Sequence, residues 1–181
     1  VLEAGINCYM SRGTKEVLGL SHHRANILGE FAKITIGGYE VMAFDTKHDC
    51  RQSVGFLVQH KEMGLLLLAT DTYYLKYIFE GLNHIFIECN YAKDILDKNV
   101  ELGIINNMLK NRTLRSHFEL ENVKNFLKAN NLNGVRNICL LHLSDKNSDA
   151  GRFKREIEEL IDKSVVVAEK DTEIDLNLVS F

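Results

Sequence analysis

Two hairpin signals followed by a regular alternation of amphipathic helix and short apolar run restrict the folds open to this chain more than any other feature. Residues Phe31 to Ile36 and Tyr39 to Phe44 flank Gly37-Gly38, and paired glycines supply the positive φ angles that a tight hairpin turn requires. A second hairpin joins Val54–Gln59 to Gly64–Ala69 through Lys61-Glu62-Met63, and its second arm is apolar enough to be buried on both faces. Ahead of both, Ile6 to Met10 reads as a short strand and Thr14 to Leu18 as a helical turn or two.

The second half has a different rhythm. His84 to Ile87 reads as a buried strand, and two helical segments are expected over Ala92 to Lys110. Leu120, Val123, Phe126 and Leu127 share one helical face, Ile138 to Leu141 is a strand, and Phe153, Ile157, Leu160 and Ile161 line the next helix before the strand Val165 to Val167. Hairpins first and helix-strand alternation afterwards predict an α/β fold with a mixed sheet, not an all-parallel doubly wound one.

A chain of 181 residues that is 45% hydrophobic can bury one substantial core, so a single domain over residues 1–181 is expected. The formal charge of -3 exerts no global pull toward nucleic acid, so any polyanion site must be local. The four cysteines, Cys8, Cys50, Cys89 and Cys139, include no CxxC pair. Reduced thiols and a cytoplasmic location are the simpler reading. No apolar run approaches the ~20 residues that cross a bilayer, and Val1-Leu2-Glu3-Ala4-Gly5 has no signal-peptide character, so no membrane is expected. That opening lacks a methionine and enters patterned sequence at once, as the C-terminal portion of a longer chain would.

Three metal-capable residues share one address, the exit of an apolar run: His48 after Val41 to Phe44, Asp71 after Leu65 to Ala69, and His142 after Ile138 to Leu141. In layered α/β proteins, ligands gather where strand ends bring loops together. Imidazole and carboxylate suit zinc and related divalent ions. Taken singly, each residue is more often a turn former, a cap or an ordinary hydrogen-bonding group than a ligand; the ordered set is what points to a metal. Ser116-His117-Phe118-Glu119 has the S-x-x-E form of a capping box, which would place His117 in the first turn of the next helix, near anion-binding N–H groups. Lys110, Arg112 and Arg115 form a basic cluster just before it. A solvated, well-capped surface loop explains the same residues. His22 and His23 are read as strand neighbours facing opposite ways, and His60 and His84 as strand-bordering residues without partners. Cys89 is read as a buried, inert thiol.

The segments His48-Asp49-Cys50 with Ser53-Val54-Gly55-Phe56, Ala69-Thr70-Asp71-Thr72, Ile87-Glu88-Cys89-Asn90, Ser116-His117 and Leu141-His142-Leu143-Ser144-Asp145-Lys146-Asn147 resemble, in order and spacing, motifs of the metallo-β-lactamase superfamily. Within it the sequence looks most like the WalJ (YycJ)-type hydrolases, with later histidines shared by ribonuclease Z. The resemblance implies an αββα sandwich with mixed sheets and two divalent metal ions, zinc or manganese. It implies that His48 ligates the first ion, Asp71 bridges both and His142 ligates the second. It gives His117 the role of stabilising or protonating the reacting group and places Arg112, Arg115, Ser144 and Asn147 on the substrate.

The superfamily's H-x-H-x-D-H loop occurs nowhere in these 181 residues, and Tyr91-Ala92 stands where the related motif has H-D. The sandwich is therefore expected without its N-terminal part. Three ligands divided between two cations predict weak or no metal binding and no activity by this chain alone. Three functions are compatible: a nuclease or other phosphodiester hydrolase, a hydrolase of a small cyclic phosphodiester, ester or thioester, and a non-catalytic interaction domain that lost its metals. An apolar face left by absent N-terminal strands also gives a reason to expect a homodimer.

Overall fold

In the computed structural model, which describes residues 1–179, both hairpins form as the glycines predict. Strand β3 (Lys33–Ile36) turns into β4 (Tyr39–Asp45) through Gly37 and Gly38, at φ 54° and 89°. Strand β5 (Val54–His60) turns into β6 (Gly64–Ala69), where Gly64 holds φ 74° against the side chain of Asn83. Then come β7 (Leu82–Glu88), β8 (Asn137–Leu141) and β9 (Val165–Val167). All seven join in one sheet in sequence order, antiparallel from β3 to β6 and parallel from β6 to β9. The expected mixed α/β sheet is thus present. Upstream, β1 (Cys8–Met10) and β2 (Ala25–Ile27) form a separate parallel pair flanking the short helix α1 (Arg12–Val17). The described residues build one large sheet and this small pair.

The crossover from β7 to β8 carries α2 (Lys93–Glu101), α3 (Asn107–Ser116) and α4 (Leu120–Ala129), and that from β8 to β9 carries α5 (Ala150–Ile161). Two parallel strands cannot be joined by a tight turn, so each crossover must pass over a face of the sheet. Leu120, Val123, Phe126 and Leu127 of α4 and Phe153 and Ile157 of α5 pack with Phe44, Leu57, Leu67, Ile85, Ile138, Leu140 and Val165 in one core. Strand alternation puts Phe56, Leu68, Phe86 and Val166 on the opposite face, where they are only half-buried. Among the described residues, no helix is long and apolar enough to cross a membrane.

Three local expectations are corrected. His84 lies inside β7, fully buried, with Nε2 2.9 Å from the Met63 carbonyl and Nδ1 3.0 Å from Asn137 Nδ2. His22 and His23 lie outside any strand and stack, ring centroids 4.4 Å apart. The expected capping box does not form: Ser116 ends α3, and the carboxylate of Glu119 caps α4 by accepting from the N–H groups of Glu121 and Asn122. A carboxylate reaches two N–H donors and complements the helix dipole more strongly than a hydroxyl.

Candidate metal centre

Because two successive antiparallel pairings return the chain to its original direction, β4 and β6 point the same way, as do β7 and β8 beyond them. The exits of all four strands therefore open at one edge of the sheet. Here the structure brings together His48, Asp71 and His142, and adds Glu88, the last residue of β7. Nε2 of His48 is 3.8 Å from Asp71 Oδ1, and Nδ1 of His142 is 3.5 Å from the same oxygen. Asp71 and His142 both hold left-handed backbone angles, φ 51° and 56°, a conformation costing about 1 kcal/mol or more outside glycine. Asn90 secures the turn at His142 by donating from Nδ2 to its carbonyl at 2.7 Å.

Glu88 escaped the sequence reading as a site residue, although it occupies the same strand-exit address as Asp71. Its carboxylate is fully buried, and a buried charge must be compensated by hydrogen bonds or partners. Oε2 accepts from the Thr72 N–H at 3.0 Å, while Oε1 lies 2.6 Å from His117 Nδ1 and 3.0 Å from His142 Nδ1. His117 arrives by another route: the segment after α3 runs extended, with Asn90 N–H donating to the Phe118 carbonyl and Leu120 N–H to the Tyr91 carbonyl. This short bridge lays His117 beside the end of β7. Its hydrogen bond to Glu88 holds the His117 imidazole above its usual pKa range, against the opposing effect of burial. The rings of His48, His117 and His142 stand in a row, centroids 5.5 and 5.1 Å apart.

The donor set fits a divalent cation. Ligand atoms of Asp71, Glu88, His117 and His142 lie within 4.8 Å of one another, and ligands bound at about 2.1 Å around one ion sit roughly 3–4 Å apart. His48 stands one contact further out, on Asp71.

The four residues expected on the substrate have other partners. Arg112 Nε donates to Asp49 Oδ2 at 2.8 Å, holding the Asp49 carboxyl below its usual range, and Asp49 Oδ1 lies 3.0 Å from His48 Nδ1. Arg115 Nε donates to the Asn111 carbonyl of its own helix. Ser144 Oγ accepts from Asn147, and buried Asn147 in turn accepts from Asn99 Nδ2 at 2.9 Å, so this pair shapes the loop after β8. Tyr91 packs into a small core with Leu96 and Ile105. Cys89 is fully buried, and burial pushes its thiol pKa up, as an inert thiol requires.

The fold is that of the metallo-β-lactamase proteins. YhfI from Bacillus subtilis, a metallo-β-lactamase-fold protein, superposes with a TM-score of 0.64 at 14% identity over 89% of this chain and 61% of its own. Igni18, a metallo hydrolase from the archaeon Ignicoccus hospitalis, gives 0.59 at 12% identity over 92% of this chain and 67% of its own. A diphosphatase of the PhnP family gives 0.54 at 14% identity over 94% and 59%. The chain thus spans about three fifths of the length of the first and third. No protein-family model matches the sequence, and no curated relative does.

Proposed function

We propose that these residues belong to a metal-dependent hydrolase of phosphodiester bonds. The observation carrying this reading is that Asp71 Oδ1 stands between His48 and His142, at 3.8 and 3.5 Å, beside a buried glutamate shared by two imidazoles. Asp71 and His142, both in the four-donor cluster, would hold the metal together with His48, 3.8 Å from Asp71, while Glu88 and His117, the cluster's other two members, hold each other through their 2.6 Å hydrogen bond. Paired divalent ions supply activated water and charge neutralisation at a phosphoryl centre. His117, whose pKa the hydrogen bond to Glu88 raises, would stabilise or protonate the departing oxygen.

A small phosphodiester is favoured over nucleic acid. Two members of the basic cluster that suggested a polyanion are paired with carboxylates of the protein, Lys110 with Asp97 at 2.6 Å and Arg112 with Asp49, while exposed Arg115 bonds a carbonyl of its own helix. That pairing weakens the local pull of this cluster on a nucleic-acid backbone.

The complete protein, loaded with manganese or zinc, is expected to hydrolyse bis(p-nitrophenyl) phosphate with a kcat/KM nearly independent of salt. Asp71→Asn is expected to lower that rate by at least about 10³-fold. Full activity in Asp71→Asn would refute the metal role, and cleavage of a single-stranded oligonucleotide with a higher kcat/KM that falls steeply with salt would restore the nucleic-acid reading.

A further inference from the structure

Beside the metal-binding cluster lies a cavity of about 580 Å³, walled by Ile104, Ile105, Leu109 and Leu143 and meeting the centre at His117 and His142. We infer that this cavity seats an uncharged, apolar ester arm of a small phosphoester, holding its phosphoryl group against the histidines; the inference rests on the hydrolase reading above.

The wall chemistry carries it. Ile104 and Leu109 are about half exposed, at 49% and 46%, in a turn and helix start where nothing else among the described residues covers them. The polar groups in the floor are occupied within the protein: Asn90 on the His142 carbonyl and Asn147 on Asn99. What the cavity offers a ligand is therefore one continuous aliphatic wall facing a polar side that includes Thr113, Ser144 and Asp145, and burial against that wall stabilises by about 25 cal/mol per Å².

Two features argue against a nucleobase strand. No Phe, Tyr or Trp lines the cavity, whereas single-strand sites use aromatic stacking platforms with a continuous basic groove. The one lysine at the rim, Lys146, forms no ion pair among the described residues. Asp145 lies beside it in the same lining, so the rim carries no net positive charge of the kind a polyanion requires. An apolar wall opposed by polar groups that fix orientation is a usual arrangement of a small-molecule site.

The test titrates the metal-free 181-residue chain, carbon-13 labelled at Ile and Leu methyls, with phenyl phosphate or inorganic phosphate. Phenyl phosphate is expected to shift the methyls of Ile104, Ile105, Leu109 and Leu143, and inorganic phosphate to leave them in place. Leu109→Asp should weaken phenyl phosphate binding at least tenfold. An acidic residue near a helix start is compatible with folding, and Leu102→Asp, outside the cavity, should bind as before. Equal shifts from inorganic phosphate, or unchanged binding in Leu109→Asp, would overturn the proposal. In the complete protein, Leu109→Asp should raise KM for bis(p-nitrophenyl) phosphate at least tenfold with kcat within twofold. Methyl shifts without diester hydrolysis would sink the activity reading and leave the cavity standing. Hydrolysis with unmoved methyls and an unchanged KM would do the reverse.

Discussion

Asp71 and His142 carry the same local burden, a left-handed backbone angle at a residue with a side chain. Both sit where a strand stops and the chain must turn sharply enough to aim a donor back at the sheet edge. Glycine would hold this angle without strain but would bring no donor. The conflict between local comfort and chemistry is what strained functional positions look like. It can be measured at His142: the variants His142→Gly and His142→Val both lose the imidazole, so their difference isolates the backbone. Thermal denaturation is expected to show the valine form less stable than the glycine form by about 1 kcal/mol. Equal stabilities would mean that the turn relaxes at no cost. Glu88 shows the complementary case, a buried charge whose partners, Thr72, His117 and His142, come from three separate segments. Nothing in its neighbours along the chain announces them.

At the scale of elements, the hairpins and the helical faces of α4 and α5 were readable because their determinants are local: paired glycines, period-two strands and period-3.6 apolar stripes. The close packing between strands was not. Gly55 in β5 lies opposite Phe44 of β4, and a side-chain carbon there would overlap the buried Phe44 ring and press on the Leu68 carbonyl at 3.1 Å. Gly55→Ala is therefore expected to cost about 1–3 kcal/mol, seen as a lower urea midpoint with an unchanged slope. A wild-type midpoint would show that the ring has room to move. The capping of α4 teaches the same lesson in miniature. Ser116 has the right spacing for a cap, yet it is sealed inside the end of α3, and Glu119 takes the role. Sequence spacing named Ser116 as the cap, and the path of the chain between two helices gave the role to Glu119.

For the molecule as a whole, the N-terminal ends of β7 and β8 are closed by His84 and the C-terminal segment. Asn137 Nδ2 donates to the Asp175 carbonyl, Arg136 Nη1 to the Asn177 carbonyl, and the Leu178 N–H to the Glu62 carbonyl. Burial lowers the His84 pKa, outweighing its backbone hydrogen bonds, so the folded state resists protonation that the unfolded state accepts near pH 6.5. Stability is then full above about pH 6.5 and falls as pH drops toward the lowered folded value, because the unfolded state binds the extra proton. A non-titrating variant such as His84→Gln should flatten the melting-temperature slope between about pH 6.5 and 5.5. An undiminished slope would assign the acid sensitivity to other groups.

The chain's pattern alone determined most of its strands and helices, though not β2 or the end of α3, together with the mixed character of its sheet and the common strand-exit address of His48, Asp71 and His142, because periodicity and turn chemistry act over a few residues. Only the tertiary structure decided which strand exits share an edge, that Glu88 ties His117 to His142, and that Arg112 and Lys110 answer acidic groups of the protein itself. Those outcomes depend on strand order and direction and on contacts between segments as far apart as Asp49 and Arg112, which no local pattern encodes.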